Sequence, residues 1–177
     1  MKERFMSLEL TPYDRLYHFV PVGPPNYALL REAREMLASI PTRQFDLSQI
    51  VTERGAGAFG SIAADGDLSA GCGTIACAAG WLALTPRFQA LGLTASCCSY
   101  GGNADYCLDY RGVSTESQSD YDLAMAPLFN LTFKQAEHLF ATRDEGDCEE
   151  DPDENLTDKA LFLARIDRLL AAETVAE

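Results

Sequence analysis

Cys72-Gly73-Thr74-Ile75-Ala76-Cys77-Ala78-Ala79-Gly80-Trp81 gathers two of the chain's six cysteines, its only tryptophan and a run of very small side chains. From Ile75 to Leu84 the residues are apolar nearly all round, the pattern of a helix buried on every side rather than one with a solvent face. Glycine and alanine let another backbone come close, so this segment reads as the centre about which the chain packs. Thr74 is a candidate N-cap, and Pro86 ends the helix after Thr85. Cys72 and Cys77 then stand about one and a half helical turns apart. Those thiols could react, bind a metal or fill space.

The flanking sequence predicts further helices. Residues 1–25 read as an irregular lead-in ending in Val22-Gly23-Pro24-Pro25, because the prolines exclude a helix before Asn26, a good N-cap. Leu29, Leu30, Ala33, Met36, Leu37 and Ile40 then recur at helical spacing, and Pro41 stops the helix. Phe45 to Val51 suggests a further short turn of helix, and Gly55, Gly57, Gly60 and Gly71 punctuate a loop leading to the cysteine-rich segment. Beyond Pro86, a short helix from Arg87 to Leu91 can be closed by Gly92 in a left-handed cap.

The pattern changes between Leu93 and Val113. Cys97-Cys98-Ser99-Tyr100 and Tyr106-Cys107-Leu108-Asp109-Tyr110 flank Gly101-Gly102-Asn103 and predict a β-hairpin. Ser119 can cap a helix through Tyr121, Leu123, Ala124, Met125 and Leu128 that Pro127 limits or kinks. Thr132 and Gln135 form a capping box for a helix with Phe133, Ala136, Leu139 and Phe140 on one face, running to about Ala141. Eight of the eleven residues from Asp144 to Glu154 are acidic, which predicts a solvated loop. Thr157 caps a final helix whose stripe is Leu161, Phe162, Ile166, Leu169 and Leu170. The expected architecture is mainly α (α+β minor), one compact helical domain over 26–177 with a single small β-hairpin and an acidic loop at 144–154.

Bulk composition narrows the function classes. A chain of 177 residues with 47% hydrophobic content can bury a sizeable core without covalent staples. No stretch approaches the roughly 18 to 20 apolar residues of a membrane span, and Met1-Lys2-Glu3-Arg4 leads into mixed polar sequence, so the expected location is the cytoplasm. A formal charge of −13 disfavours docking on nucleic-acid phosphates and suits attraction to a basic protein surface. The six cysteines of a chain this long, expected in a reducing compartment, point to free buried thiols for most of them.

Four elements in this order resemble a family of small uncharacterised proteins of bacteriophages and bacterial genomes. They are Phe45-Asp46, Cys72-Gly73-Thr74 through Cys77-Ala78-Ala79-Gly80-Trp81, Leu128-Phe129-Asn130-Leu131-Thr132, and His138-Leu139-Phe140. The resemblance covers roughly residues 27–170 and rests on a C-G-T-x-x-C-x-A-G-W core. It implies a phage or mobile-element accessory protein working in a bacterial host cell, and it brings no catalytic role to any residue.

Several chemistries compete with plain packing. A cysteine-dependent enzyme would use Cys72 or Cys77 as nucleophile at the positive end of the central helix, with His18 or His138 as base. A structural zinc site is disfavoured because Cys72 and Cys77 are too far apart, and Cys97 and Cys98 too close, for the usual ligand pairs. Asp147, Glu149, Asp151, Asn155 and Asp158 fit the first, third, fifth, ninth and twelfth places of a calcium loop. That match fails at Pro152, where the sharp turn needs glycine, and at Asp158, which is shorter than the bidentate glutamate expected there. No cofactor and no metal ion is therefore expected. The favoured function is non-enzymatic. Tyr100, Tyr106 and Tyr110 on the hairpin, with Glu149, Glu150, Asp151 and Asp153, would engage a host protein through its basic surface.

Overall fold

Pro12 starts a helix rather than forbidding one. The computed structural model describes residues 12–47, 52–53, 74–100, 103–115, 121–141 and 156–173, with the side chains of 12–14, 52–53, 74–75, 96–100 and 103–106 left aside. In it, α1 occupies Pro12–Tyr17, so the lead-in is not irregular throughout. Proline is tolerated in the first turn because its missing N–H would have no intrahelical partner there. Asn26 caps α2 (Tyr27–Ser39) as its position predicts, its side chain accepting from the Leu29 amide at 3.1 Å. Leu29, Leu30, Ala33 and Leu37 form the buried face.

The central segment departs from expectation. Thr74 does not cap a helix: Thr74–Ile75 is a strand, β2, paired antiparallel with β1 (Thr52–Glu53). Ala76 is claimed by the chain that leaves a 3-10 turn at Thr42–Gln44. Its amide donates to the Gln44 carbonyl at 3.1 Å, and its carbonyl accepts from the Asp46 amide at 3.2 Å. A residue that spends both backbone groups on a neighbouring segment cannot also serve a helix, so α3 begins at Ala78 and ends at Ala83. All six of its residues are buried, which the apolar run does predict.

Thr85 and Pro86 turn the chain into α4 (Pro86–Gln89), and Gly92, at φ +94, closes it in the left-handed conformation. A Cβ on Gly92 would sit 3.0 Å from the Arg111 side chain and 3.4 Å from its backbone, so glycine is required there for space as well as dihedral. The hairpin is longer than predicted: β3 (Leu93–Tyr100) pairs with β4 (Asn103–Tyr110), and β5 (Val113–Ser114) adds a third strand. Arg111 and Gly112, at φ 52 and 80, form the two-residue β4–β5 turn whose twist suits tight hairpins.

Helix α5 (Tyr121–Phe129) is buried at seven of nine positions, with Pro127 inside it. It ends in a Schellman arrangement: Asn130 takes φ 55, and the Leu131 amide donates to the Ala126 carbonyl at 2.9 Å. The predicted capping box is present at the start of α6 (Phe133–Phe140), and Thr157 caps α7 (Asp158–Ala171).

A chain of phenylalanine rings runs through the core. Phe88, Phe129, Phe140, Phe162 and Phe45 follow one another at centroid spacings of 6.2, 6.0, 5.6 and 5.9 Å. These rings tie α4, α5, α6, α7 and the chain after the 3-10 turn into one apolar cluster. Helix α7 also clamps α2 from outside: Lys159 donates to the carbonyls of Ala38, at 2.6 Å, and Ile40. It thereby satisfies acceptors that a helix C-terminus leaves open. Arg34 and Asp167 add a two-pronged ion pair between the same helices at 2.7 and 3.0 Å.

Candidate functional site

Cys77 is the one proposed nucleophile whose surroundings are described, and those surroundings oppose reactivity. It is 6% exposed and caps α3 with its sulfur, which accepts from the Gly80 amide at 3.4 Å. Burial pushes its thiol up to about 11, against the opposing pull of the Gly80 and Ala79 amides, and the nearby Asp46 carboxylate adds to the rise. At neutral pH only ~10⁻⁴ of such a group is thiolate, the form that attacks. His138, the proposed base, is exposed on α6 while Cys77 faces the core. Cys72, the other proposed nucleophile, lies outside the described residues. His18 is exposed and stands edge-on to the Tyr17 ring at 5.5 Å. No group of three or more His, Cys, Asp or Glu side chains that could hold a metal ion occurs among the described residues.

Trp81 and its neighbours are scaffold. The indole is 2% exposed, and its Nε1–H donates to the Gln44 carbonyl at 2.9 Å. That carbonyl also receives the Ala76 amide, so tryptophan and strand bridge hold one oxygen between them. Four other residues of the motifs quoted above are structural as well. Phe45, Phe129 and Phe140 are links in the ring chain, and Asn130 is a clasp. Its Oδ1 accepts from the Val22 amide at 3.1 Å, while Nδ2 donates to the carbonyls of Val22, Gly23 and Pro24 at 3.0, 3.3 and 2.7 Å.

The hairpin tyrosines do not form one exposed set. Tyr110 is 3% exposed, packs in the core, and carries the Arg111 guanidinium 5.1 Å from its ring centre. Burial raises its phenol pKa while Arg111 opposes the rise. Tyr110 is thus withdrawn from the partner-binding set, because its place in β4 turns it to the same face as Leu108. The side chains of Tyr100 and Tyr106, and the whole of Glu149, Glu150, Asp151 and Asp153, lie outside the described residues.

What is described of the acidic segment is its two stems. The Ala141 carbonyl accepts from Arg165, whose side chain is buried on α7, at 2.7 Å. At the other end Leu156 packs on the core. Asp158, the last position of the candidate calcium loop, accepts from the Leu47 amide at 3.0 Å and so stitches α7 to the chain after Phe45. Sequence reading missed Asn130, Lys159 and Arg165. Only Asn130 carried a local signal, since asparagine before a capping box suits a left-handed helix end.

Charge is distributed unevenly along the chain. The described side chains include ten basic and nine acidic groups, so the packed body is close to neutral. The remaining eighteen carboxylates face only four basic residues, and eight of the eighteen lie between 144 and 154. The −13 therefore marks particular segments rather than the surface as a whole. No helix among the described residues is long and apolar enough to cross a membrane. Comparison with protein-family models, with curated proteins and with solved structures finds no match.

Proposed function

We propose that this chain is a non-enzymatic accessory protein of phage or mobile-element origin, acting in the bacterial cytoplasm by covering a basic surface of a host protein. Where that surface serves a defence protein to hold nucleic acid, its occlusion inhibits defence. The observation that carries this reading is the concentration of eight carboxylates in 144–154, against ten basic and nine acidic groups among the described side chains. A dense acidic segment steers a basic partner from a distance, and its stems on α6 and α7 limit where that partner docks. The buried, protonated thiol weighs against Cys77 as a nucleophile.

Capture from bacterial lysate tests the reading, with wild-type protein compared against a variant in which Glu149, Glu150, Asp151 and Asp153 become Gln or Asn. The expected result is a specific partner retained at low salt, weakened at high salt and lost with the variant. Equal capture by both proteins at every salt concentration rejects the acidic segment as the docking element.

A further inference from the structure

The lead-in is fastened to the body less firmly than its four hydrogen bonds to Asn130 suggest. Among the described residues, the large apolar side chains left exposed are Tyr17, Val20 and Val22, at 60, 74 and 89%. All three fall within six consecutive positions. Leu16 and Phe19 alternate with them, half-buried against the core, and α1 lies on α5 and β5. Between Arg15 and Val22 no residue is fully buried. The bonds that Asn130 makes to Val22, Gly23 and Pro24 are open to solvent. Water replaces an exposed hydrogen bond at small cost, and a side chain turned outward adds nothing to docking. Among the described side chains of this stretch, opening it uncovers only the half-buried Leu16, Phe19 and Pro21, whereas opening α3 uncovers six buried residues. Gly23, at φ +83 with open space where a Cβ would stand, supplies a bend before the stiff Pro24-Pro25.

We propose that α1 and the chain through Val22 form a strap that releases from α5 and β5 as one unit while the body stays folded, with Asn130 as its catch and Gly23 as its hinge. Release frees Leu16 and Phe19 to join Tyr17, Val20 and Val22, so that five large apolar side chains within seven positions meet a partner together. The docked strap withholds two of the five. It is a conformational device that offers a full apolar segment only in the open state, and a partner with an apolar groove draws the strap into that state by binding it. The inference stands apart from the binding role proposed above, which uses carboxylates.

Native-state hydrogen exchange of the whole chain is the test. The Phe19 amide donates to the Leu16 carbonyl at 3.1 Å and the Val22 amide to Asn130, whereas in the body Trp81 and Leu84 donate to the Cys77 and Gly80 carbonyls. After correction for intrinsic rates, Phe19 and Val22 are expected to share one protection factor, about a hundredfold or more below those of Trp81 and Leu84. Asn130→Gly keeps the left-handed turn and is expected to lower the protection of both by the same factor, about fivefold, although the Phe19 amide bonds Leu16 rather than Asn130. Faster exchange at Val22 alone would reduce the catch to one local hydrogen bond and overturn the strap. Protection equal to that of the body overturns it too, since the stretch then opens only with the whole fold, and exchange as fast as in an unfolded peptide means that it is not docked.

Discussion

Removing the Trp81 side chain should unfold the centre of the molecule before it touches any binding surface, and the cost can be worked out from the contacts. Trp81→Ala deletes a buried indole and leaves a cavity in the apolar cluster to which the side chain belongs. Such truncations cost about 3 to 5 kcal/mol. The hydrogen bond to Gln44 supplies only about 1 kcal/mol of that, because the carbonyl keeps its second donor, the Ala76 amide, and is not left bare. Trp81→Phe retains a ring and loses the donor, so it should cost about 1 to 2.5 kcal/mol. Urea unfolding followed by far-UV circular dichroism is the assay, since the chain has no other tryptophan to report fluorescence. A loss under about 1 kcal/mol for Trp81→Ala with an unchanged denaturant slope would refute the buried-scaffold assignment. Equal losses for the two variants would refute the division between cavity and hydrogen bond. Partner capture below the unfolding transition should match wild type, and its loss at full stability would move Trp81 to the interface.

Cys77 has a pH signature: its folded thiol titrates about 11, above its ordinary value of 9.0, so stability present below pH 9 falls as pH rises towards 11. The loss is about 2 to 3 kcal/mol for wild type and absent from the corresponding slope of Cys77→Ala; parallel pH profiles would show that the thiol is not held protonated by burial. In native protein at neutral pH, Cys77 should react with iodoacetamide far more slowly than glutathione does, and a fast stoichiometric reaction would restore the thiol-enzyme reading. Asn130→Gly keeps the left-handed turn but frees the lead-in, costing about 1 kcal/mol and speeding exchange of the Val22 amide, while Asn130→Ala costs about 1 to 2 kcal/mol more. Unaltered Val22 exchange in both would dismiss the clasp. Arg34→Met removes an exposed ion pair with Asp167 and should change stability by less than about 1 kcal/mol. A larger change would mean that this pair organises the α2–α7 contact.

Local chemistry was legible wherever a rule needs only a few neighbouring residues. Asn26, the Thr132–Gln135 capping box, Thr157 and the left-handed Gly92 could all be read directly, because each satisfies backbone groups within one turn. The apolar run around Trp81 announced burial correctly but not its form. Whether Ala76 continues a helix or bridges a strand depends on Gln44 and Asp46, which stand thirty or more positions away. The site residues show the same division. Tyr110 was a candidate partner contact until its place in β4 turned it to the core, and Cys77 stayed open between reaction and packing until burial fixed its protonation.

By itself the amino-acid sequence determined a mainly α chain with a β-hairpin, the helix caps, and the crowding of carboxylates between 144 and 154, since periodicity, capping and charge are properties of neighbours along the chain. Tertiary structure alone decided that Asn130 clasps the lead-in, that five phenylalanine rings line up through the core, and that two cysteines of similar local character, Cys77 and Cys107, become a protonated thiol and a disulfide-bonded sulfur. Side-chain chemistry of that kind follows from which distant segments exclude water from a group and which atoms they place against it, and spacing along the chain carries neither.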